Sequence, residues 1–334
     1  MTTDTKTSVS IKIIKQDVSP LKAVPNQKDT QIIIKIINKD QPKDSKEGPS
    51  TSNSVLNSLI SNKSPPNPSS ISKSLRLVSW NIDRMNESKW YIITSFLNKE
   101  CPAVFCINEI KMSAKKLIDT YLSRIKGYKY IVNDHSPSQY HGVAMLIRED
   151  LKYTPLVVNL GCSTRSDNKS DDPAKGRIIA IELESKINVV SCYTPNAGTG
   201  LKFLEYRIGE WNPAFYKFLN KLKESSPTVW LGDVNIAPEE IDVTAPKAMS
   251  SWAGFTMEER KSHRDFLGSG EWLDLWRFKN PDKIGYTWFS KGGGSKMRLD
   301  AVICSKDLLD KVKNVDILDL VGSDHFGLNV DFIC

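Results

Sequence analysis

The chain has 334 residues and lacks features that define several classes of protein. No stretch approaches the ~20 consecutive apolar residues of a membrane-spanning helix, so no membrane association is predicted. Cysteine is scarce, and the six cysteines are spread between Cys101 and Cys334 without a CxxC pair. A disulfide framework is therefore not expected, and we interpret the cysteines as reduced thiols of an intracellular protein.

Residues 1–72 contain no Phe, Trp, Tyr, Arg, His or Cys. A segment without aromatic residues cannot build much of a core. This one holds seven of the 17 prolines, three of them in the short run Pro65, Pro66 and Pro68, which is typical of an extended linker. We therefore expect residues 1–72 to be a disordered Lys/Ser/Asn/Pro-rich tail and linker, and residues 73–334 to form one folded domain.

Positive charge is divided unevenly between these two regions. The whole chain has 46 Lys and Arg against 39 Asp and Glu, a net charge of +7. Residues 1–72 contain ten Lys and six acidic residues, so +4 lies in the tail and +3 remains for the rest of the chain. The overall charge permits an anionic partner but does not identify one.

From residue 75 onward, short apolar runs alternate with amphipathic stretches, which predicts a layered α/β fold. The predicted strands are 76–82, 104–107, 130–133, 143–148, 177–183, 188–193, 228–232, 299–305, 315–321 and 326–332. The predicted helices are 87–99, 115–124, 203–222 and 257–266. Pro213 is expected to kink or split the third helix, because proline lacks the backbone N–H that a helix interior needs.

Polar residues collect where the apolar runs stop. The six clusters are Asn81-Ile82-Asp83, Asn108-Glu109, Tyr193-Thr194-Pro195-Asn196, Asp233-Val234-Asn235, Arg298-Leu299-Asp300 and Ser323-Asp324-His325. A single Asp or Asn after a strand is usually a turn residue, but six such clusters are harder to explain in this way. Because loops at strand ends converge on one edge of a sheet, we expect these side chains to lie together.

Such a cluster would place several carboxylates and one histidine in a small volume. Carboxylates repel one another, so the cluster is tolerable mainly if a hard cation lies among them. Oxygen ligands with few Cys or His favour Mg²⁺ or Mn²⁺ over Zn²⁺. Of the other histidines, His135 and His263 lie in polar stretches and are expected at the surface, and His141 is given no chemical role.

In its sequence motifs the chain resembles the exonuclease III-type apurinic/apyrimidinic (AP) endonucleases, and among them it is more similar to the vertebrate-type members. The resemblance spans residues 75–334 and depends on linked segments in the family order. These segments are Ser79-Trp80-Asn81-Ile82-Asp83, Asn108-Glu109-Ile110-Lys111, Tyr193-Thr194-Pro195-Asn196-Ala197-Gly198, Leu204-Glu205-Tyr206-Arg207, Gly232-Asp233-Val234-Asn235, Glu239-Glu240-Ile241-Asp242, Ala253-Gly254-Phe255-Thr256 and Ser323-Asp324-His325.

The resemblance implies a four-layer α/β sandwich, in which two packed mixed β-sheets are flanked by helices. It also implies a Mg²⁺-dependent DNA repair enzyme, with Mn²⁺ as an alternative ion. Such an enzyme hydrolyses the phosphodiester 5′ of an abasic site in double-stranded DNA and leaves a 3′-hydroxyl. A 3′-phosphodiesterase or 3′→5′ exonuclease activity is compatible with it. The implied protein is a monomer in the nucleus, and its tail could bind protein partners or DNA without sequence preference.

The resemblance also implies residue roles. Glu109, with Asp83 and Asp324, is expected to bind the metal. Asp233 is expected to orient or deprotonate the attacking water, with Asn235 and Asn81 holding it in place. His325 is expected to contact the scissile phosphate, with Asp300 fixing its ring. Tyr193 and Asn196 are expected to donate to the phosphate, although an ionised Tyr193 acting as the base is a competing proposal.

An aromatic and aliphatic wall encloses the extruded sugar in the family, and the matching residues are Trp288, Met297 and Leu299; Lys111 is assigned to substrate binding. A pocket too small for a sugar that carries a base selects an abasic one. There are two alternative functions: a DNase I-like nuclease, inositol-phosphate phosphatase or sphingomyelinase on the same fold, and an inactive DNA-binding scaffold. The linked segments argue against the first function, and the complete set of acids and amides argues against the second.

The chain departs from the family pattern at positions that contact DNA in relatives. Met297 stands where many relatives have Trp, and Thr199 and Phe203 stand where vertebrate-type enzymes have basic DNA contacts. Ala245, Met249 and Trp252 replace asparagines of a DNA-facing loop, and residues 291–296 form a shorter, Gly-rich loop. We therefore expect retained chemistry and altered DNA contacts.

Overall fold

A computed structural model describes residues 74–136, 138–165 and 172–333; the expected tail, residues 1–72, lies outside the described residues. The helices are α1 (Glu87–Glu100), α2 (Ala114–Thr120), α3 (Leu204–Tyr206), α4 (Asn212–Ser225), α5 (Pro246–Met249), α6 (Met257–Leu267) and α7 (Leu275–Lys279). The first seven strands are β1 (Ser74–Asn81), β2 (Val104–Asn108), β3 (Tyr128–Asp134), β4 (Gly142–Arg148), β5 (Tyr153–Pro155), β6 (Ile178–Leu183) and β7 (Asn188–Cys192). The remaining strands are β8 (Thr228–Asp233), β9 (Trp272–Asp274), β10 (Trp288–Phe289), β11 (Lys296–Met297), β12 (Asp300–Ser305), β13 (Val312–Leu318) and β14 (Gly327–Ile333).

The strands form two mixed six-stranded sheets and one short ribbon. The first sheet has the order β13-β14-β1-β2-β4-β3, and the second has the order β5-β6-β7-β8-β12-β9. Strands β1 and β2 are parallel in the first sheet, and β7 and β8 are parallel in the second. The ribbon consists of β10 and β11. Each sheet therefore has one central parallel pair whose carboxyl ends meet at one edge.

Three hydrophobic clusters show that the sheets and helices form four layers. One cluster joins the two sheets and contains Leu77 from the first sheet and Leu231 from the second. A second cluster lies between the first sheet and α1, and a third lies between the second sheet and α4. The order helix, sheet, sheet, helix confirms the expected four-layer sandwich.

The predicted helices and strands are present, and the differences are local. The predicted helix 203–222 contains a π-helical turn at Arg207–Trp211, and α4 follows it with Pro213 as its second residue, so the irregularity expected at Pro213 lies in the turn before it. The edge strand β13 lies at Val312–Leu318 rather than at 315–321. The elements that were not predicted, such as β9 and α7, are too short to show periodicity.

Cysteine and histidine, two scarce residue types, differ in how well the sequence predicted their surroundings. The cysteines that the structure describes are all free, as expected. The expectation of surface positions for His135 and His263 is wrong, since their exposed fractions are 5% and 0%. His263 lies on the inward face of α6, where its Nδ1 is 3.4 Å from the Tyr216 hydroxyl, and His135 stacks on His141 with ring centroids 4.0 Å apart. Among the described residues, no helix is long and apolar enough to cross a membrane.

Side-chain alternation along the strands directs polar residues to one place. In β8, Val229 and Leu231 face the opposite sheet, so Asp233, two residues further on, faces the same way. The same alternation carries polar residues to the ends of the other inner faces, namely Asn81, Asn108, Tyr193 and Asp300. The two sheets therefore present a polar cluster between them at one end of the sandwich.

Candidate active site

The polar cluster forms the floor of a cleft of about 920 Å³. All but two of the predicted site residues line this cleft. The cleft-lining ones are Asp83, Glu109, Lys111, Tyr193, Asn196, Asp233, Asn235, Trp288, Met297, Leu299, Asp324 and His325. Asn81 and Asp300 lie directly behind this floor, bonded to Asp233 and His325 respectively. The structure therefore brings the predicted residues together, as strand-end convergence requires.

Asp233 is held from two sides. Its Oδ2 accepts a hydrogen bond from Asn81 Nδ2 at 2.9 Å, and its Oδ1 accepts one from the backbone N–H of Asn235 at 2.9 Å. Burial raises the pKa of Asp233 to about 8, with a further rise from the Asp300 carboxylate that His325 opposes. A fixed carboxylate with a raised pKa is suited to accept a proton.

The β8 position before Asp233 admits only glycine. Gly232 has φ +143°, and a Cβ there would lie 2.1 Å from the Cys192 carbonyl oxygen and 2.8 Å from Asn108 Oδ1. Asn108 Oδ1 instead accepts a hydrogen bond of 2.9 Å from the backbone N–H of Asp233. The two sheets therefore touch through this glycine, and the close approach sets the position of Asp233.

His325 and Asp300 form a buried pair beside Asp233. His325 Nδ1 lies 2.7 Å from Asp300 Oδ2, and Asp300 pairs with Asp233 across β12 and β8. Burial lowers the pKa of His325, but Asp300 outweighs it and raises the pKa to about 10. One ligand atom from each of the three side chains lies within 4.8 Å of the others. The ring is thus held in its cationic form, with its orientation set by Asp300.

The predicted metal ligands Asp83 and Glu109 share one cation. The ammonium group of Lys111 lies 2.6 Å from Asp83 Oδ1 and 2.5 Å from Glu109 Oε2. All three residues have left-handed backbone conformations, with φ values of 40°, 56° and 48° for Asp83, Glu109 and Lys111. Such conformations are strained for residues other than glycine and cluster at functional sites.

Asp324 does not join Asp83 and Glu109 in a close group of three ligand atoms within the described residues. Its Oδ2 accepts a hydrogen bond of 3.3 Å from Trp288 Nε1, and its Oδ1 lies 3.4 Å from the Ser323 hydroxyl. Asp324 therefore lines the same cleft as Asp83 and Glu109 but lies outside the pair of acids that Lys111 bridges.

A hard divalent cation fits the pair of acids that Lys111 bridges. A hydrogen bond from Lys111 lowers the pKa of Asp83, so this carboxylate is ionised, as a metal ligand must be. Carboxylate oxygens without thiolates are the donors that Mg²⁺ and Mn²⁺ prefer. An ammonium group already lies between the two carboxylates, which shows that this position accepts positive charge.

Tyr193 and Asn196 form one side of the cleft. Burial raises the pKa of Tyr193 well above its usual value, with Glu109 and Asp233 adding to the rise, so the phenol is neutral and able to donate. Asn196 Nδ2 donates to Asn235 Oδ1 at 2.9 Å, and Asn235 Nδ2 donates to the Thr194 carbonyl at 2.8 Å. These bonds connect Asn196 to the residues that hold Asp233.

The opposite side of the cleft is apolar. Trp288, Met297 and Leu299 belong to one hydrophobic cluster, and Met297 pairs with Trp288 across β10 and β11. Behind this wall, the buried Arg298 guanidinium makes two bonds to Asp242, of 2.7 and 3.0 Å. This ion pair connects the Glu239-Glu240-Ile241-Asp242 segment to the start of β12 and so fixes the wall beside Asp300.

Sequence reasoning missed three cations near the site. Lys89, 6% exposed, donates to the carbonyls of Ile82 and Asp83 and so supports the strained turn below Asp83. Arg177 lies under the Tyr193 ring at 5.2 Å from its centroid, and Arg165 donates to the Asn196 carbonyl at 3.2 Å. Of the three, only Arg177 could have been identified from the sequence, because it directly precedes a buried strand; no sequence pattern identifies Lys89 or Arg165.

The profile of the Endonuclease/Exonuclease/phosphatase family matches residues 78–325, well over half of the chain. The chain is 34% identical over 265 residues to a DNA-(apurinic or apyrimidinic site) endonuclease of Dictyostelium discoideum, covering 77% of this chain and 70% of that protein. It is 32% identical over 266 residues to the DNA repair nuclease APEX1 of Danio rerio, covering 75% of this chain and 80% of that protein. In fold, it resembles the AP endonuclease LMAP of Leishmania major, with a TM-score of 0.69, 21% identity and coverage of 78% of this chain and 88% of that one. The resemblance expected from the linked segments is confirmed: the chain belongs to the endonuclease/exonuclease/phosphatase family, among the exonuclease III-type AP endonucleases.

Proposed function

We propose that this protein is a metal-dependent AP endonuclease that hydrolyses the phosphodiester 5′ of an abasic site in double-stranded DNA and leaves a 3′-hydroxyl. The observation that carries the proposal is the buried group of Asp233, Asp300 and His325 at the floor of a cleft with an apolar wall. Similarity to proteins named DNA-(apurinic or apyrimidinic site) endonuclease and DNA repair nuclease supports this substrate. We place the enzyme in base excision repair, as a monomer in the nucleus.

Asp233 accepts the proton of the attacking water in this proposal. Its two oxygens already receive hydrogen bonds from Asn81 and from the backbone of Asn235, so the carboxylate has one orientation before substrate binds. The raised pKa brings its basicity close to the range in which general bases work best. Asn235 and Asn81 are thereby assigned to positioning rather than to proton transfer.

The metal is assigned to Asp83 and Glu109, with Asp324 as a further ligand. Mg²⁺, or Mn²⁺ in its place, supplies positive charge for the phosphate oxygens and the departing 3′-oxygen when bound. Lys111, which bridges Asp83 and Glu109, is free to contact a phosphate once another cation takes over that charge.

Three donors are assigned to the scissile phosphate. The imidazolium of His325 donates from the ring nitrogen that Asp300 does not hold. Tyr193 and Asn196 donate from the opposite side of the cleft. Preorganised donors in a site that excludes water stabilise the additional negative charge of the transition state.

The apolar wall selects the abasic sugar. Met297 and Leu299 are 1% and 5% exposed, so they cannot move aside easily to admit a nucleotide that carries a base. A frayed or damaged 3′ end can reach the same donors, so we include 3′-phosphodiesterase and 3′→5′ exonuclease activity in the proposal.

Incision of a duplex that contains one tetrahydrofuran abasic analogue tests the proposal. We expect strand cleavage 5′ of the analogue in the presence of Mg²⁺, with a 3′-hydroxyl product. An intact duplex of the same sequence is the matched control and should be cut far more slowly. Equal cutting of both duplexes, or full activity in EDTA, would contradict the proposal.

A further inference from the structure

A buried arginine joins the two segments that carry the proposed chemistry. Arg207 is 1% exposed, and its Nη1 donates to the Pro195 carbonyl while its Nη2 donates to the Val234 carbonyl at 2.7 Å. Pro195 directly precedes Asn196, the proposed phosphate donor. Val234 directly follows Asp233, the proposed base. One planar guanidinium therefore holds both segments from behind the cleft, and we call these two bonds the carbonyl clamp.

The π-helical turn at Arg207–Trp211 explains the orientation of this arginine. In an α-helix, side chains three or four residues apart are neighbours, whereas a π turn brings residues five apart together. The backbone N–H of Asn212 bonds the Arg207 carbonyl across this turn, and Arg207 Nε donates to Asn212 Oδ1 at 2.8 Å. Asn212 Nδ2 in turn donates to the Ser262 hydroxyl at 2.9 Å. The guanidinium is therefore fixed from the helix side as well as by the two carbonyls.

The acceptors of Arg207 are neutral, although the side chain is a buried cation. Its three hydrogen bonds go to two backbone carbonyls and one amide oxygen. Burial lowers the pKa of the guanidinium, and Glu259 and Asp233 oppose part of that shift. A buried ion contributes little net stability, because the cost of removing it from water offsets much of what its bonds return. The main consequence of Arg207 is therefore the connection that it makes between the two segments.

The same two segments also contact each other on the cleft side. Asn196 Nδ2 donates to Asn235 Oδ1 at 2.9 Å. In the proposed mechanism Asn196 also donates to the scissile phosphate, so this contact lies where the substrate binds. The carbonyl clamp lies behind the cleft and contains no group assigned to the substrate, so it is intact both before and after DNA binds.

We propose that Arg207 is a positioning residue that sets the separation of Asn196 and Asp233, so that the phosphate donor and the attacking water meet at one phosphorus. The proposal rests on the proposed function for the roles of these two residues. Groups that act on a substrate must be held within about 0.5 Å of the productive geometry. A displacement of about 1 Å caused by a remote substitution costs about 10²-fold in rate. Loss of Arg207 should therefore slow the reaction and leave DNA binding nearly unchanged.

Single-turnover incision of the tetrahydrofuran duplex compares Arg207→Met and Arg207→Lys with the wild type. Methionine offers no donors, and we expect the rate to fall about 10²-fold while Kd stays within about threefold. The ammonium of lysine can reach one carbonyl but cannot span both, so the rate of Arg207→Lys should lie between those of the wild type and Arg207→Met. If Arg207→Met does not fold, Arg207→Lys supports the same comparisons.

Arg76→Met is the matched control for the loss of an arginine that joins separate elements. Arg76 donates to Asp331 and Glu100 near the start of β1, whereas the cleft lies at the other end of that strand. This variant should lower the melting temperature and leave the incision rate unchanged.

A double-mutant cycle with Asp233→Asn separates positioning from general damage. If Arg207 acts largely through the placement of the Asp233 carboxylate, most of its effect disappears when that carboxylate is absent. We expect the cost of Arg207→Met to fall from about 10²-fold in the wild type to below about tenfold in the Asp233→Asn background. A cost above tenfold in that background, or no cost in the wild type, overturns the proposal.

Amide hydrogen exchange tests the carbonyl clamp without any activity. The backbone N–H groups of Thr194 and Asn235 donate to the Asp233 carbonyl and to Asp233 Oδ1, both at 2.9 Å, so their protection reports how firmly the segments are joined. Arg207→Met should exchange these amides at least about tenfold faster than Arg76→Met. If it does so while the wild type fails to cut abasic DNA, the proposed function fails and the clamp stands. If the wild type cuts abasic DNA and exchange is unchanged in Arg207→Met, only the clamp fails.

Discussion

The floor and the rim of the cleft are built in opposite ways. The catalytic floor consists of Asp83, Glu109, Asp233 and His325, with Asp300 directly behind it. The cleft rim consists of residues 199–203 and Trp252. Every floor side chain has a fixed hydrogen-bond or ion-pair partner, and Asp233, Asp300 and His325 are at least 95% buried. The rim instead contains the exposed residues Thr199, Gly200, Lys202 and Trp252.

This contrast determines which parts of the site can change. A buried polar group needs a partner, so altering one floor residue leaves another without its bond. Exposed rim residues contact solvent, and a substitution there costs no partner inside the protein. The floor therefore keeps the family pattern while the rim departs from it. A floor variant is therefore expected to change the chemistry, and a rim or tail variant is expected to change DNA binding at most.

The largest effect is expected for Asp233→Asn. The amide cannot accept the proton of the attacking water, and its N–H₂ group would face the Asn81 donor that now bonds the carboxylate. Loss of a general base costs about 10²–10⁴-fold, and we expect kcat to fall by about 10³-fold. Single-turnover incision of the tetrahydrofuran duplex measures this fall. An unchanged Kd for the same duplex is the control, and a tenfold or smaller loss of kcat would remove Asp233 from the role of base.

The pair Glu109→Gln and Lys111→Met should shift the Mg²⁺ dependence in opposite directions. The amide of the first variant binds a cation more weakly, and we expect the Mg²⁺ midpoint to rise by at least the 10–100-fold seen when a hydrogen-bond partner of a metal ligand is lost. The second variant removes the ammonium that occupies the position between Asp83 and Glu109, so less Mg²⁺ should be needed. Incision rates across a Mg²⁺ titration measure both midpoints. Shifts in the same direction would mean that Lys111 does not compete with the metal.

Asp300→Asn should move the pH profile of kcat toward acid. Asp300 raises the pKa values of both His325 and Asp233, so its removal lowers both, and each limb of the profile moves to lower pH. At pH 8 the neutral ring no longer donates as a cation, and we expect kcat to fall by about 10²-fold, the lower end of the range for loss of one donor to the transition state. Rates measured from pH 5 to 10 show the shift. A loss of the same factor at every pH would indicate structural damage instead.

The same pair sets a dependence of stability on pH. The pKa of His325 is raised from 6.5 to about 10 in the folded protein. Its contribution to the free energy of unfolding is therefore fully present below about pH 6.5 and is lost as the pH rises through about 10. Thermal melting of the wild type and of Asp300→Asn should converge as the pH approaches 10, which provides a control for the kinetic profile.

The floor could be predicted from the sequence because its position follows from strand alternation. Asn81, Asp233 and Asp300 extend the inner faces of their strands, and the apolar residues before them mark those faces in the sequence. The rim could not be predicted in this way. Arg165 reaches the Phe203 ring from a distant segment, and no periodicity records that contact. The burial of His263 could not be predicted either, because this inward-facing histidine lies in a helix that is rich in charged residues.

At the rim, Trp252→Ala should change binding and leave chemistry intact. Trp252 lines the cleft and is 40% exposed, so more than a third of its surface is available to a substrate. Stacking on an exposed aromatic ring is worth about 1–3 kcal/mol, and for a ring that is already partly buried we expect KM to rise by about three- to tenfold. Steady-state kinetics on the tetrahydrofuran duplex separate KM from kcat. A fall in kcat as large as that of Asp300→Asn would break the distinction between floor and rim.

The smallest effect is expected from removing residues 1–72. These residues carry +4 of the net charge of +7, so they are the region that would replace DNA contacts missing from the rim. Arg165 already supplies positive charge beside Asn196, and within the described residues the ladder between β1 and β14 begins at Ser74. We therefore expect the shortened chain to cut the tetrahydrofuran duplex at low salt within about twofold of the full chain, since ion pairs with exposed lysines contribute little. A strong loss at low salt that shrinks as the salt concentration rises would mean that the tail, rather than the rim, holds the DNA.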